Sequence, residues 1–336
     1  MDIAVVVNLK ARRGSSAVAQ RCRAELPNAR ILASRSMVDT VDFAKLLSEA
    51  PPRLLLSAGG DGTAIALVNA LRDADPGALA IDSDMLLGVL PLGTGNAWAR
   101  VTGATSWRRA LSSLSEVADR RTELPRRRFA LLDMNGTLSH FAGTGWDAEI
   151  IDDFHVQKSR PSLLPPSARQ GLAGYLNGMF TRTVPRAWRG TGVEVELVNT
   201  GEHVLAVGDD GRAYQAPGGE PGAVLYRGPT SVCAAGTTEE WGFGFRAFPF
   251  AHLVPGRFCM RVYTGNSIQA TMRMGKLWRG EHPVRGMNTW LATSCRATFS
   301  KPVPFQIGGD RQGHRDVIDF RIAEEEIDLL DWRALS

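Results

Sequence analysis

The residues best suited to chemistry lie in two glycine-rich runs, Gly59-Gly60-Asp61-Gly62-Thr63 and Gly93-Thr94-Gly95-Asn96. Each follows a largely apolar stretch, Leu54–Ala58 and Leu86–Leu92. Closely spaced glycines let a loop take positive φ and bring backbone N–H groups to a ligand with no Cβ in the way. A helix starting after such a loop adds unpaired N–H groups and the positive end of its dipole, both of which favour phosphate oxygens. Thr63 and Thr94 supply hydroxyls, and Asn96 can cap the following helix or bind the ligand. Asp61 is the odd member, because a carboxylate beside phosphates is repelled. It becomes useful if it reaches a divalent metal through water or takes a proton from an attacking hydroxyl. One such loop is equally a tight turn closing a βα unit. Two in one half of the chain point to a polyanion, of which a nucleoside triphosphate is the natural example.

Other nucleotide signatures are missing. No Gly-x-x-x-x-Gly-Lys-Ser/Thr occurs, and the first βα turn, Asn8-Leu9-Lys10-Ala11-Arg12-Arg13-Gly14, lacks Gly-x-Gly-x-x-Gly. The protein-kinase set of motifs is absent as well. Cys22, Cys233, Cys259 and Cys295 are far apart, with no Cys-x-x-Cys pair, and read as buried thiols of a reducing compartment. The 6 histidines have no paired-ligand spacing, which speaks against a zinc enzyme. A net charge of +4 suits an anionic ligand or an acidic membrane surface and does not require nucleic acid. No apolar run is long enough to span a bilayer, so the expected location is cytoplasmic with peripheral membrane contact.

The elements that must position these loops follow from the pattern. Strands are expected at Ile3–Val7, Ala29–Ala33, Leu54–Ser57 and Met85–Leu90. Helices are expected at Ser15–Leu26, from Asp39 or Thr40 to Glu49, from Thr63 to about Arg72, and at Trp107–Asp119. This alternation, with near-continuously apolar strands, predicts a parallel sheet covered on both faces, whose ligands sit at the carboxyl ends of the strands. Beyond Pro125-Arg126-Arg127-Arg128 the period becomes two. Phe129–Asp133, Val193–Val198, Val204–Val207, Phe258–Tyr263, Phe305–Ile307 and Val317–Ile322 read as strands of an antiparallel sandwich or barrel. Ser162–Arg182, Pro-rich and then small and apolar, reads as a short helix or lid near the domain junction. The fold class is therefore α/β plus all-β. The domains are 1–123, an α/β nucleotide-binding domain; 124–325, a β-sandwich; and 326–336, a C-terminal segment whose return to the first domain is left open.

Gly59-Gly60-Asp61-Gly62-Thr63 with Asn69-Ala70-Leu71, and Leu90-Pro91-Leu92-Gly93-Thr94-Gly95-Asn96 with Ala99-Arg100, resemble the diacylglycerol kinase catalytic-domain family. That family includes bacterial lipid kinases, sphingosine kinases and ceramide kinases, and is distantly related to NAD kinases. Gly143-Thr144-Gly145-Trp146-Asp147-Ala148 is similar to its Gly-x-Gly-x-Asp-Ala segment. Trp241-Gly242-Phe243-Gly244 through Ala247-Phe248-Pro249-Phe250-Ala251 resembles a further glycine-rich stretch of the family. Gly308-Gly309-Asp310 stands where the family usually has Asp-Gly-Glu.

The resemblance implies a Rossmann-like nucleotide domain and a β-sandwich domain with the site between them. It also implies transfer of the γ-phosphoryl group of ATP, with Mg²⁺, to a lipid hydroxyl. Asn8 and Ser34 would lie near the nucleotide with Gly59, Gly60, Asp61, Gly62, Thr63, Gly93, Thr94, Gly95 and Asn96. Asp61 and Asp310 would be the catalytic and metal-linked carboxylates, although Asp310 reads equally as a turn residue after Gly308-Gly309. Three positions depart from the family: Ala66 replaces a frequent Glu, Ala97 a common Asp, and Gly308 the Asp of Asp-Gly-Glu. The chain then uses Asp61 or Asp310 in place of that last Asp, or is inactive. A small-molecule kinase of NAD-kinase type and a non-catalytic nucleotide-binding regulator are the alternatives. Expected partners are a lipid substrate and an anionic membrane, without nucleic acid and with oligomerisation open. Basic residues such as Arg126–Arg128, Lys158, Arg160 and Arg169 would aid the membrane contact, although Arg126–Arg128 reads more readily as a solvated strand entry. Trp241, Phe243, Phe245, Phe248 and Phe250 offer area for an acyl chain, although aromatic residues of a β domain are more often core.

Overall fold

Ile3–Asn8 (β1), Leu54–Gly59 (β3) and Leu86–Pro91 (β4) are buried along nearly their whole length, as strands covered on both faces must be. They belong to the first of two units in the computed structural model. The structure describes residues 1–335 except 12, 80–82, 84, 118–122, 147 and 150–191. The first unit comprises Met1–Leu131 and Ala323–Ser336, and the second Leu132–Ile322. The expected element at Ser162–Arg182, and with it Lys158, Arg160 and Arg169, lies outside the described residues.

In the first unit Arg30–Ser34 (β2) pairs parallel with β1, β1 with β3, and β3 with β4. The order β2-β1-β3-β4 reverses direction between β1 and β3, the kind of switch point at which doubly wound sheets bind ligands. The connecting helices are Ser16–Glu25 (α1), Met37–Glu49 (α2), Asp61–Ala74 (α3), Ala97–Val101 (α4) and Trp107–Val117 (α5). Helix α2 starts ahead of the expected Asp39 or Thr40. Ser36 is its cap and accepts the Asp39 N–H at 3.2 Å, while the Asp39 carboxylate accepts the Arg35 N–H at 2.6 Å. This reciprocal arrangement satisfies N–H groups that the helix itself cannot.

The sheet is extended by the end of the last strand, Asp310–Leu330 (β16), where Leu329 pairs parallel with Leu87 of β4. Just beyond it, the Trp332 N–H donates to the Thr102 carbonyl at 2.9 Å, and the Arg333 guanidinium donates to the Val101 carbonyl. The basic triplet is engaged inside this unit. Arg126 and Arg128, on the strand Arg126–Met134 (β5), pair with Asp328, and Arg127 donates to the Val101 carbonyl at 3.2 Å. These guanidiniums hold the Asp328 carboxyl below its usual range, the Arg128 hydrogen bond contributing most.

The second unit is antiparallel and begins where Thr137–Ser139 (β6) pairs with the end of β5 at Leu132–Met134. Phe141–Gly145 (β7), Val232–Gly236 (β12), Phe258–Tyr263 (β13) and Met287–Ala292 (β14) pair in that order, and β14 continues to Leu205–Val207 (β9) and Ala213–Gln215 (β10). Ser294–Ile307 (β15) pairs with β7 near its end, with Val193–Asn199 (β8) near its start, and with β16 along its other edge. Val224–Thr230 (β11) then pairs with β8. Alternation along β13 feeds two cores. Phe258, Met260 and Val262 join Leu197, Phe305 and Phe320, while Cys259 joins Phe141, Phe248 and Leu291.

The aromatic residues considered for an acyl chain mostly belong to that second core: Phe248 is 1% exposed, with Trp241, Phe245 and Phe250 packed around it. Trp241 stacks on Phe245, and Phe245 on Trp278 of the helix Ser267–Arg279 (α6). All four cysteines are free and buried. No helix among the described residues is long and apolar enough to cross a membrane.

Candidate functional site

Three loops converge at the carboxyl ends of β1, β3 and β4. The Gly59 carbonyl accepts the N–H groups of Leu92 (2.8 Å) and Gly93 (3.1 Å), which joins the two glycine runs backbone to backbone. At the joint the chains nearly touch: a Cβ on Gly93 would lie 2.3 Å from the Gly60 Cα, so only glycine permits this approach. The loop after β1 closes the third side, its Arg13 N–H donating to the Leu92 carbonyl at 3.0 Å. Gly14 is required there because a Cβ would fall 2.0 Å from the Asn8 carbonyl oxygen.

Side chains fix the same junction. Asn8 Nδ2 donates to Thr63 Oγ1 at 2.8 Å, and Asn8 Oδ1 accepts the Lys10 N–H at 2.9 Å. Asn96 sits in the left-handed region at φ 54° and does not cap α4 with its side chain. Its amide instead brackets Gly93, accepting the Gly93 N–H and donating to the Gly93 carbonyl, both at 3.0 Å. Ser34 ends the neighbouring strand, where its carbonyl accepts the Leu9 N–H at 2.9 Å and its hydroxyl donates to the Ser36 carbonyl at 3.0 Å.

Asp61 has a defined structural task. It opens α3 and is 8% exposed. Its Oδ2 accepts the Ala97 N–H at 2.9 Å and its Oδ1 the Trp98 N–H at 3.1 Å. The carboxylate therefore caps α4 from a different loop, where a helix start favours negative charge. Burial pushes the Asp61 carboxyl up from its ordinary range, against the N–H groups of Ala97, Trp98 and Asn96, which pull it down. Sequence reasoning missed these partners, and also Arg13 and Gly14. Only Gly14 left a signal, as a glycine closing the first βα turn.

Asp310 belongs to the second unit. The Ile307↔Asp310 pair closes the β15–β16 hairpin through a two-residue turn in which Gly308 (φ 58°) and Gly309 (φ 90°) both have positive φ. Two central residues at positive φ define the type I′ geometry, which matches strand twist and favours glycine. Gln306, fully buried, accepts the Gly309 N–H at 2.8 Å through its Oε1.

The first unit thus brings Asn8, Ser34, Gly59 to Thr63 and Gly93 to Asn96 to one end of one sheet. A phosphate-bearing ligand fits such a place: it offers a helix N-terminus at α3 and glycine loops at a switch point. A metal caged by protein alone does not fit, because among the described residues no group of three or more His, Cys, Asp or Glu could hold one. Mg²⁺ in kinases rests largely on substrate phosphates and one or two carboxylates, so its fit follows that of the nucleotide.

Residues 2–124 match the family model of the diacylglycerol kinase catalytic domain, a stretch that contains both glycine loops. The structure is similar over its whole length to that of a diacylglycerol kinase from Bacillus anthracis str. Sterne. The TM-score is 0.62 at 15% identity, covering 100% of this chain and 98% of the other. Two further structures from that organism align with TM-scores of 0.65 at 16% and 17% identity, with the same coverage. A comparison with curated proteins gives no significant match. The family match supports a kinase, and the solved structures show the shared fold: a Rossmann-like unit with a β-sandwich unit.

Proposed function

We propose that this protein is an ATP-dependent lipid kinase that transfers the γ-phosphoryl group to a hydroxyl of a diacylglycerol-like, ceramide or sphingoid lipid. The observation that carries this reading is the joining of two glycine loops, backbone to backbone, inside the residues that match a diacylglycerol kinase catalytic domain. Phosphoryl transfer asks a protein mainly for positioning and charge neutralisation. Gly59–Thr63 and Gly93–Asn96 hold the phosphates, and bound Mg²⁺ offsets their charge. Asp61, its two oxygens engaged by Ala97 and Trp98, acts as a positioning residue that keeps the second loop against the first. Asp310 is the carboxylate assigned to receive the hydroxyl proton or support the metal. The lipid is met by peripheral contact with an anionic membrane.

Incubation with γ-labelled ATP, Mg²⁺ and mixed micelles of diacylglycerol, ceramide or sphingoid base, with NAD as a parallel acceptor, tests the reading. A labelled lipid is the expected product. Labelled NAD phosphate alone would move the assignment to a small-molecule kinase. ATP binding without transfer to any acceptor would favour the regulator reading, which Gly308 in place of an acid motivates.

A further inference from the structure

Within the second unit, α6, β14 and the β9–β10 hairpin border a groove of about 720 Å³, a volume in the range of small-molecule sites. Its walls carry Arg273, Lys276 and Arg285 against one carboxylate, Asp209. Lys276 and Arg285 are exposed, and neither forms an ion pair among the described residues. Arg273 is held in place, donating through Nη1 to the Arg285 carbonyl at 3.1 Å and to the Tyr263 hydroxyl at 3.3 Å.

Groups on β13 and β14 strengthen this bias. Thr289 lines the groove, is 7% exposed, and its hydroxyl has no hydrogen-bond partner among the described residues. Directly opposite it across the β13–β14 pair is Arg261, 3% exposed, and such cross-strand neighbours share a face of the sheet. Its Nη1 donates to the Ala247 carbonyl at 2.6 Å, but among the described residues Nε and Nη2 have no partner and the guanidinium forms no ion pair. A buried cation without a counter-ion is costly to keep. Its field, weakly screened in the interior, adds to that of the cations on the groove walls.

We infer that this groove binds a phosphorylated ligand, its phosphoryl oxygens received by Lys276 and Arg285, with Arg261 behind Thr289 adding to the attraction. Arginine and lysine together suit a phosphate, through directed N–H donors and a compact charge. Exposed Met272 (73%) and Tyr214 (51%) also line the groove and offer apolar contact to a ligand with a glycerol or acyl portion. The same chemistry is presented by a soluble phosphomonoester and by a phospholipid headgroup.

The test uses the full chain without ATP, so its result does not depend on any kinase activity. sn-Glycerol 3-phosphate is titrated by calorimetry, and phosphatidylglycerol vesicles are compared with phosphatidylcholine vesicles by co-sedimentation. At least one probe is expected to bind, with affinity at least about tenfold weaker in the Lys276→Gln/Arg285→Gln double variant. Titration by the soluble ester identifies a small ligand, and binding to phosphatidylglycerol vesicles alone identifies a headgroup. Both altered side chains are exposed, so the variant should keep the wild-type melting temperature. Binding of neither probe, or equal binding by a folded double variant, overturns the inference.

Discussion

The carboxylate of Asp61 accepts the backbone N–H of Ala97 at 2.9 Å across 36 positions of sequence, and this bond ties the start of one helix to the start of another. With the Trp98 N–H on the other oxygen, the two glycine loops are tied together at both carboxylate oxygens. Asp61→Asn places an amide N–H₂ against one of these donors. The variant should lose about 1.5–3 kcal/mol of stability, the range for hydrogen bonds to a charged group. ATP affinity should fall with it, as read by urea denaturation and nucleotide titration. Turnover lost while stability and ATP affinity stay unchanged would show that Asp61 acts on the substrate itself.

Gly93 leaves no room for a side chain, because the atom in its way is backbone and cannot swing aside. Gly93→Ala should therefore push the loops apart at a cost of about 1–3 kcal/mol. Its urea midpoint and its ATP affinity are the measurements, and wild-type values for both would contradict the close approach.

Asp328 gives the molecule a dependence on pH. Its folded-state pKa is lowered, first by the Arg128 hydrogen bond and then by the other contacts with Arg128 and Arg126. The resulting stability is fully present above the unfolded carboxyl pKa of about 3.9 and is lost as pH falls through the lower folded value. Asp328→Asn should be less stable than wild type at neutral pH, with the gap closing in acid. A gap that is constant from neutral pH into acid would remove the ion pairs from the account.

Phe248 is core, so Phe248→Ala should destabilise by about 3–5 kcal/mol whether or not lipid is present. Thermal unfolding with and without vesicles measures this. A variant of normal stability that fails to engage lipid would restore the acyl-chain role.

The parallel strands were legible because burial on both faces leaves an apolar run with little ambiguity, as in Leu54–Leu56. The glycine loops were legible as loops, but their mutual bracing was not. Asp61 finds Ala97 and Trp98 only after β3 and β4 align, and nothing local marks a backbone N–H as a partner. Helix α6 went unread because Gly275 and a run of polar and small residues blur its period, although Asn266 and Gly280 stand at its ends as ordinary cap residues. Only short pieces of β15 and β16 were visible. Alternation breaks down where charged residues such as exposed Glu324 and half-buried Glu325 follow one another, and pairing alone carries the strand onward.

Strand β16 passes from the second unit into the first, and Leu329, Trp332 and Arg333 take their places there. A ribosome that has released everything up to Leu131 has therefore delivered a sheet still missing its neighbour to β4. That edge waits, unpaired, through the synthesis of the entire second unit. The nascent chain must shelter it by other means until the residues from Ala323 onward emerge and close the seam.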